Sequence, residues 1–229
     1  MDYTYDDIAG MIDHSLLTPS LSEADLEAGC RLAVAYGVAS AVLVPYALAH
    51  CAPILNAGGV KPSTTVGFPH GIQTTEVKLV EARRALDDGG VELDMVVNIS
   101  RVLSGHWDAV SEEVTALAEL VHGRDARLKV IFENCYLQDE HKVRLCEMCG
   151  RAGADWVKTS TGFAPGGAEL ADVVLMRTHA PPDVQVKAAG GIKTLDQVLE
   201  IRAAGATRVG VSATVAILDE CKRRLGLAE

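Results

Sequence analysis

A chain of 229 residues with a formal net charge of −10 and a pI near 5.2 excludes the broad basic face by which a nucleic-acid binder holds phosphates. Its longest basic cluster, Lys222-Arg223-Arg224, sits near the C-terminus, where it complements a helix end. Hydrophobic residues make up 48% and aromatics 4%, so a large core is built from Ala, Val, Leu and Ile, yet no apolar run approaches the ~18 residues of a membrane span.

The first seven residues, Met1-Asp2-Tyr3-Thr4-Tyr5-Asp6-Asp7, are acidic and carry no signal-peptide pattern, so no membrane association and a cytoplasmic location are expected. Residues 11–13 read as the first strand. Ser22-Glu23-Ala24-Asp25 has the form of a capping box and opens a helix that runs to about Tyr36. Strand then alternates with helix: strand 38–44 and helix 45–57, strand 60–67 and helix 73–88, strand 91–97 and helix 106–121. The order continues with strand 127–133 and helix 138–152, strand 154–158 and helix 169–177. Strand 184–187 with helix 194–204, and strand 206–211 with helix 213–225, complete the set. Gly10, Gly37, Gly59, Gly90, Gly153 and Gly205 precede six of these strands, and glycine suits the left-handed position just past a helix end.

Several strands are continuous apolar runs, such as Ala41-Val42-Leu43-Val44, which fits parallel strands covered on both faces. The stretch Ala152-Gly153-Ala154-Asp155-Trp156-Val157-Lys158-Thr159-Ser160 is echoed by Ala204-Gly205-Ala206-Thr207-Arg208-Val209-Gly210-Val211-Ser212, as if one βα unit copied another. Eight such units without a linker predict a single domain over residues 1–229, a (β/α)8 TIM barrel of the α/β class. A doubly wound open sheet is the alternative on pattern alone.

In a barrel the chemistry sits at the C-terminal ends of the strands. Lys158 ends a short apolar strand and is followed at once by Thr159-Ser160-Thr161-Gly162. Burial there disfavours the ammonium form, and a lysine that is neutral near pH 7 can attack a carbonyl to form a Schiff base. Alternatively, its side chain reaches solvent and the loop is an ordinary polar turn. Lys187, followed by Ala188-Ala189-Gly190-Gly191, repeats the pattern on the next strand. Glu92 and Asp94 share one face of a strand, and a carboxylate inside the barrel needs a cation, for which the two lysines are the candidates. A purely structural ion pair would look the same. Asp13, His14, His70, Asn98, Glu133, Asn134 and Ser212 are the other polar residues at strand ends.

The six cysteines, Cys30, Cys51, Cys135, Cys146, Cys149 and Cys221, are read as reduced thiols. Cys146 and Cys149 form a C-x-x-C pair within a helix, but with no second pair to complete a zinc site no metal is expected.

The chain resembles the 2-deoxyribose-5-phosphate aldolase family of Schiff-base aldolases. The resemblance is carried by Asp13-His14-Ser15-Leu16-Leu17-Thr18-Pro19, Val66-Gly67-Phe68-Pro69-His70-Gly71, Glu92-Leu93-Asp94-Met95-Val96 and Lys129-Val130-Ile131-Phe132-Glu133. It continues through Val157-Lys158-Thr159-Ser160-Thr161-Gly162-Phe163, Lys187-Ala188-Ala189-Gly190-Gly191-Ile192-Lys193-Thr194 and Ala204-Gly205-Ala206-Thr207-Arg208, spanning nearly the whole chain in order. It implies a metal-free, cofactor-free lyase that cleaves 2-deoxyribose 5-phosphate reversibly to glyceraldehyde 3-phosphate and acetaldehyde. By the same analogy Lys158 is the Schiff-base lysine and Lys187 the second lysine that lowers its pKa. Asp94 is the carboxylate of proton transfer and Asp13 a supporting one. Substrate and phosphate contacts would fall on Thr159, Gly162, Gly190, Gly191, Lys193, Gly210 and Ser212. The partners implied are a small sugar phosphate and an aldehyde, with assembly as a homodimer or homotetramer.

Three departures from the family pattern bear on substrate preference and rate. Val42-Leu43-Val44-Pro45 stands where members often have V-C-V-N-P, Ser212 is followed by Ala213 rather than a second Ser or Gly, and the chain ends Leu227-Ala228-Glu229 without the tyrosine some members carry. Two rival readings stay open on the residues: another class I phosphate-sugar aldolase on the same barrel, and a sugar-phosphate binding protein without catalysis.

Overall fold

The computed structural model describes residues 3–227. Met1 and Asp2 of the acidic N-terminal stretch, and Ala228 and Glu229 of the tyrosine-free end, lie outside the described residues. Eight parallel strands close into a barrel in sequence order: β1 Ile12–Leu16, β2 Ser40–Leu43, β3 Lys61–Val66, β4 Glu92–Val96, β5 Arg127–Ile131, β6 Trp156–Lys158, β7 Gln185–Ala189 and β8 Arg208–Val211. The pairing of β1 with β8 shuts it, which removes the open doubly wound sheet as an alternative. Around it lie α1 Tyr5–Ala9, α2 Glu23–Tyr36, α3 Leu48–Ala57, α4 Thr75–Asp87, α5 Ile99–Leu103, α6 Trp107–His122, α7 Asp139–Arg151, α8 Leu170–His179, α9 Leu195–Ala203 and α10 Thr214–Leu225.

Two short helices exceed the sequence expectation, and local capping accounts for both. Thr4 Oγ1 accepts from Asp7 N at 3.1 Å while Asp7 Oδ2 accepts from Thr4 N at 2.7 Å, a capping box that opens α1. Asn98 Oδ1 accepts from Arg101 N at 3.2 Å and starts α5 directly after β4. The expected capping box of α2 is present, with Ser22 and Asp25 exchanging bonds. The glycine rule needs correction at two positions. Gly37, Gly59, Gly153 and Gly205 have positive φ as expected, but Gly10 is right-handed and Gly90 has no positive φ. A Cβ at Gly10 would lie 2.9 Å from Asp6 O, and one at Gly90 2.9 Å from Ala85 O, so crowding requires glycine there.

The apolar core is the shell between sheet and helices. In β5, Leu128 and Val130 point outward into it, as Leu93 and Met95 do in β4. Burying each such side chain contributes on the order of 2 kcal/mol. The alternate residues point to the barrel axis, and there the chain departs from the branched aliphatic filling usual in such barrels. Asp13, Ser40, Ser63, Glu92, Asp94, Lys129, Lys187 and Arg208 are all buried. The parallel register sets Asp94 beside Lys129 and Lys158 beside Lys187.

One further buried ion pair braces the end of β4. Lys78 of α4 and Glu113 of α6 are both 0% exposed and 2.8 Å apart. Lys78 also donates to Val96 O at 2.7 Å, and Glu113 accepts from Asn98 N at 3.2 Å. The sequence carried a signal for it: each residue lies on the apolar stripe of its own helix, Lys78 in line with Ala82 and Glu113 between Val110 and Leu117. Removing one member strands the other as a buried charge, which costs far more than replacing both by apolar groups. Glu113→Ala is expected to lower the unfolding free energy by about 3–5 kcal/mol in urea titration, and the double change Lys78→Met/Glu113→Leu to recover at least half of the loss.

Candidate active site

A cavity of about 290 Å3 opens at the C-terminal ends of the strands. Lys158 and Lys187 face it from below, with Asp13, while Gly162, Gly190, Gly191, Lys193, Gly210 and Ser212 form one side of its rim. Asp94 is wholly buried beneath the two lysines and is not part of the cavity wall.

The two oxygens of Asp94 serve different neighbours. Its Oδ2 accepts from Lys158 Nζ and from Lys187 Nζ, each at 2.7 Å, and its Oδ1 accepts from Lys129 Nζ at 2.9 Å. Lys129 also contacts Glu92 at 2.6 Å and Asp13 at 3.7 Å. Lys187 donates to Asp13 as well. Arg208 closes the network from β8, donating to Asp13 Oδ1 at 2.5 Å and to both oxygens of Glu92 at 3.1 Å. The Trp156 ring lies in the same layer, 5.6 Å from Lys129 Nζ and 5.0 Å from the Arg208 guanidinium.

These contacts move the proton affinities in opposite directions. Burial works against the Lys158 ammonium most strongly, and Lys187 and then Lys129 repel it. Asp94 opposes them, and the balance brings the group down to about 8. About a tenth of the amine is then neutral at pH 7, against well under 0.1% at the ordinary lysine value. Lys187 is thus the larger repulsion but ranks behind desolvation. Burial also disfavours the charged forms of Asp13, Glu92 and Asp94, but the surrounding cations outweigh it and hold all three carboxyls below their ordinary range. For Lys129 the three carboxylates overcome burial and push the amine up.

The rim is built from backbone. Gly162, Gly190 and Gly191 have φ of 86°, 92° and 80°, which an L side chain adopts only under strain. A side chain on Gly191 would meet no protein atom within 4 Å and would stand in open space, whereas at Gly190 it would meet Gly167 Cα at 3.0 Å. A Cβ at Gly210 would crowd Ala189 Cβ at 3.0 Å and touch Lys187 Cε at 3.4 Å, so glycine relieves the packing against β7. In the echo with β6, Gly210 occupies the place of Lys158, so one unit presents the amine and the other clears space. Helix α10 follows directly after Ser212 of the rim, and its N-cap, Ala213, offers no side-chain hydrogen bond to the first N–H groups.

Several expected site residues lie elsewhere. Thr159 is fully buried and does not line the cavity. Its hydroxyl bridges β6 to β7, donating to Ala189 O at 3.3 Å and accepting from Ala189 N at 3.1 Å. The next hydroxyl-bearing residue on the wall is Thr161, whose amide and hydroxyl both donate to Glu133. Glu133 and His70 border a second, more apolar hollow beside the first. His14 faces α10 and lies 2.7 Å from Thr214 Oγ1, and burial pulls its imidazole down to about 4. Asn134 donates to Asp172 at 3.0 Å. Cys146 and Cys149 are both buried in α7 as free thiols, with burial pushing Cys146 up to about 12. Sequence reasoning gave no role to Lys129 and Arg208. Their signal was parity: each is a cation within an apolar strand, two residues from another inward position.

Comparison with known proteins accords with this geometry. Residues 8–219 match the model of the DeoC/LacD family aldolases. A deoxyribose-phosphate aldolase of Rhodopirellula baltica is 56% identical over 226 residues, covering 99% of this chain and 94% of that protein. One from Thermococcus gammatolerans is 44% identical, covering 93% of this chain and 96% of that protein. Among solved structures, an aldolase named QR15 superposes with a TM-score of 0.91 at 38% identity, covering 97% of this chain and 99% of that one. A deoxyribose phosphate aldolase from Aeropyrum pernix, described as a unique tetramer, superposes at 0.89 with 36% identity, covering 96% and 92%. The protein is an aldolase, a lyase of carbon–carbon bonds. The chain belongs to the DeoC/LacD aldolase family.

Proposed function

We infer that the chain is a deoxyribose-phosphate aldolase working through a Schiff base on Lys158. The observation that carries the mechanism is the buried amine at the cavity floor that shares one carboxylate oxygen with a second lysine. In the cleavage direction the neutral Lys158 Nζ adds to the C1 aldehyde of open-chain 2-deoxyribose 5-phosphate. Loss of water leaves an iminium. The C3 hydroxyl gives up its proton and the C2–C3 bond breaks, its electron pair passing to the iminium. Glyceraldehyde 3-phosphate departs, and an enamine remains on Lys158. Protonation of the enamine carbon and hydrolysis then release acetaldehyde and the free amine. The iminium is the electron sink, so the lysine itself supplies what polarises the bond.

Asp94 is the proton acceptor and donor in this reading. It lies below the wall, so its protons pass by the Lys158 or Lys187 amine or by a water that enters when Lys158 turns to substrate. Lys187 and Asp13 hold that carboxylate and the local charge in place. Gly162, Gly190, Gly191, Gly210, Ser212 and Lys193 receive the phosphate, with the uncapped start of α10 as an electrostatic aid. Thr159 supports this wall from behind rather than touching substrate. Val42, in the place of the cysteine found in family members, makes the opposite wall apolar. A phosphorylated sugar substrate favours a cytoplasmic, catabolic role. Among the described residues no helix is long and apolar enough to cross a membrane. Assembly as a homodimer or homotetramer is proposed by analogy with the tetrameric relative.

Acetaldehyde with borohydride is expected to add one ethyl group at Lys158, located by peptide mapping, and none in Lys158→Leu at any pH. Lys187→Leu removes the nearest repelling cation and frees Asp94 for Lys158, so the Lys158 amine should titrate higher. Activity rises with pH as that amine loses its proton, so this variant should be weak at pH 7, recover partly at pH 9 and still form the adduct. An adduct on Lys187 would reverse the two roles. Dihydroxyacetone phosphate serving as donor in place of acetaldehyde would indicate a ketose-phosphate aldolase instead.

Gly191→Val should raise KM for the phosphorylated sugar roughly ten-fold, on the order of one lost phosphate hydrogen bond, and change little with unphosphorylated deoxyribose. Equal losses on both substrates would remove the rim from the phosphate site.

A further inference from the structure

The salt-bridged interior of the barrel holds four cations, Lys129, Lys158, Lys187 and Arg208, against three anions, Asp13, Glu92 and Asp94. Fully ionised, this set carries one uncompensated positive charge out of contact with bulk water. A buried charge without a counter-charge is strongly unfavourable, and the set becomes balanced when one cation gives up a proton. Arginine does not deprotonate in proteins. Of the three lysines, Lys129 contacts three carboxylates and Lys187 two, while Lys158 contacts Asp94 alone. Lys158 therefore loses the least attraction when it becomes neutral, and of the three lysines it alone keeps any exposure, 3%.

We propose that the charge count of the whole barrel interior selects Lys158 as the neutral amine, and that Lys129 and Glu92 are positioning residues that set this count from beneath Asp94. The proposal deepens the Schiff-base reading and rests on it. Lys129 has two tasks. It supplies the cation in excess, and by occupying Oδ1 of Asp94 it keeps Oδ2 turned to Lys158 and Lys187. Glu92 does the reverse from the floor, holding Lys129 and Arg208 by direct contacts.

The groups facing Lys158 are accounted for element by element. Asp94 of β4 touches it, Lys187 of β7 and Lys129 of β5 share that carboxylate, and Asp13 of β1 and Arg208 of β8 complete the layer below. Glu133, after β5, faces Lys158 without an ion pair and is held by Thr161 instead. Lys61 reaches Glu92 at 3.4 Å from the barrel floor but is 55% exposed, so water compensates its charge. Lys193 stands at the exposed rim.

The test is the pH dependence of kcat/KM and of the borohydride trapping rate in wild type, Lys129→Met, Lys129→Arg and Glu92→Gln. None of these substitutions touches Lys158. Lys129→Met leaves three cations on three anions, so Lys158 keeps its proton. The acid limb should move up by on the order of one pH unit, with roughly ten-fold loss at pH 7 that is regained at pH 9. Glu92→Gln leaves four cations on two anions, and the limb should move down by on the order of one unit. Lys129→Arg keeps the count and should keep the limb within a few tenths of a unit of wild type. Opposite shifts from the two neutralising changes support the proposal. Shifts of the same sign, an unmoved limb, or an Arg variant that behaves like Met overturn it. If Lys129→Met does not fold, Glu92→Gln decides alone, and a limb that stays or rises contradicts the charge count. An adduct at Lys158 in wild type with unmoved limbs defeats this proposal only, whereas no adduct in wild type defeats the Schiff-base reading and this proposal together.

Discussion

Taking an ion out of water costs several kcal/mol even after the protein relaxes around it, and this barrel encloses seven ionisable side chains in one contiguous network. The desolvation penalty is offset only by close pairing, and pairing inside a barrel is a matter of register. Parallel strands place like-numbered inward residues about 5 Å apart, so Asp94 meets Lys129 and Lys158 meets Lys187 without any freedom of the loops. Two like charges at that spacing repel, and the Asp94 carboxylate between them is what makes the arrangement tolerable. Lys158, with the fewest carboxylate contacts, is the one of the three lysines that keeps any exposure. In the proposed mechanism the reactivity of Lys158 is thus set by the whole interior rather than by one residue.

The rim above has a different physical character. Its ligands to phosphate would be backbone N–H groups in glycine-rich turns and at the start of α10, which carry partial charges and need no counter-ions. Apart from Lys193, whose charge is exposed to water, the full charges lie below and the dipoles above. The Lys78–Glu113 pair braces the lower layer from outside the barrel. It fixes Val96 O and Asn98 N, the backbone just past Asp94, from the helix side.

Much of this was legible in the residues. The alternation of apolar strands with helices predicted eight βα units, and two lysines marked the cavity floor, although only Lys158 ends its strand: β7 runs on to Ala189 and leaves Lys187 at its centre. Lys129 and Arg208 escaped notice because Val130-Ile131-Phe132 and Val209-Gly210-Val211 follow them instead of the run of small residues that follows Lys158 and Lys187, and only the ion pairs of the folded barrel reveal that they meet Asp94, Asp13 and Glu92. Thr159, next after Lys158, was expected on the wall by the family resemblance. One residue further along a strand, however, points to the opposite face, and its hydroxyl binds the β7 backbone instead. The short helices α1 and α5 depend on caps at Thr4 and Asn98, signals confined to three residues and weak beside the apolar periodicity of the longer elements.

The central claim is that one buried lysine is poised near neutrality while Lys129, beneath it, stays charged. Titrating the lysine side chains by NMR of protein labelled with carbon-13 at Cε, with Lys158→Met to assign the resonance, tests it directly. The account predicts that the Lys158 signal titrates near pH 8 and that the Lys129 signal titrates above the ordinary lysine value. A Lys158 midpoint at the ordinary lysine value of ~10.4 would contradict it.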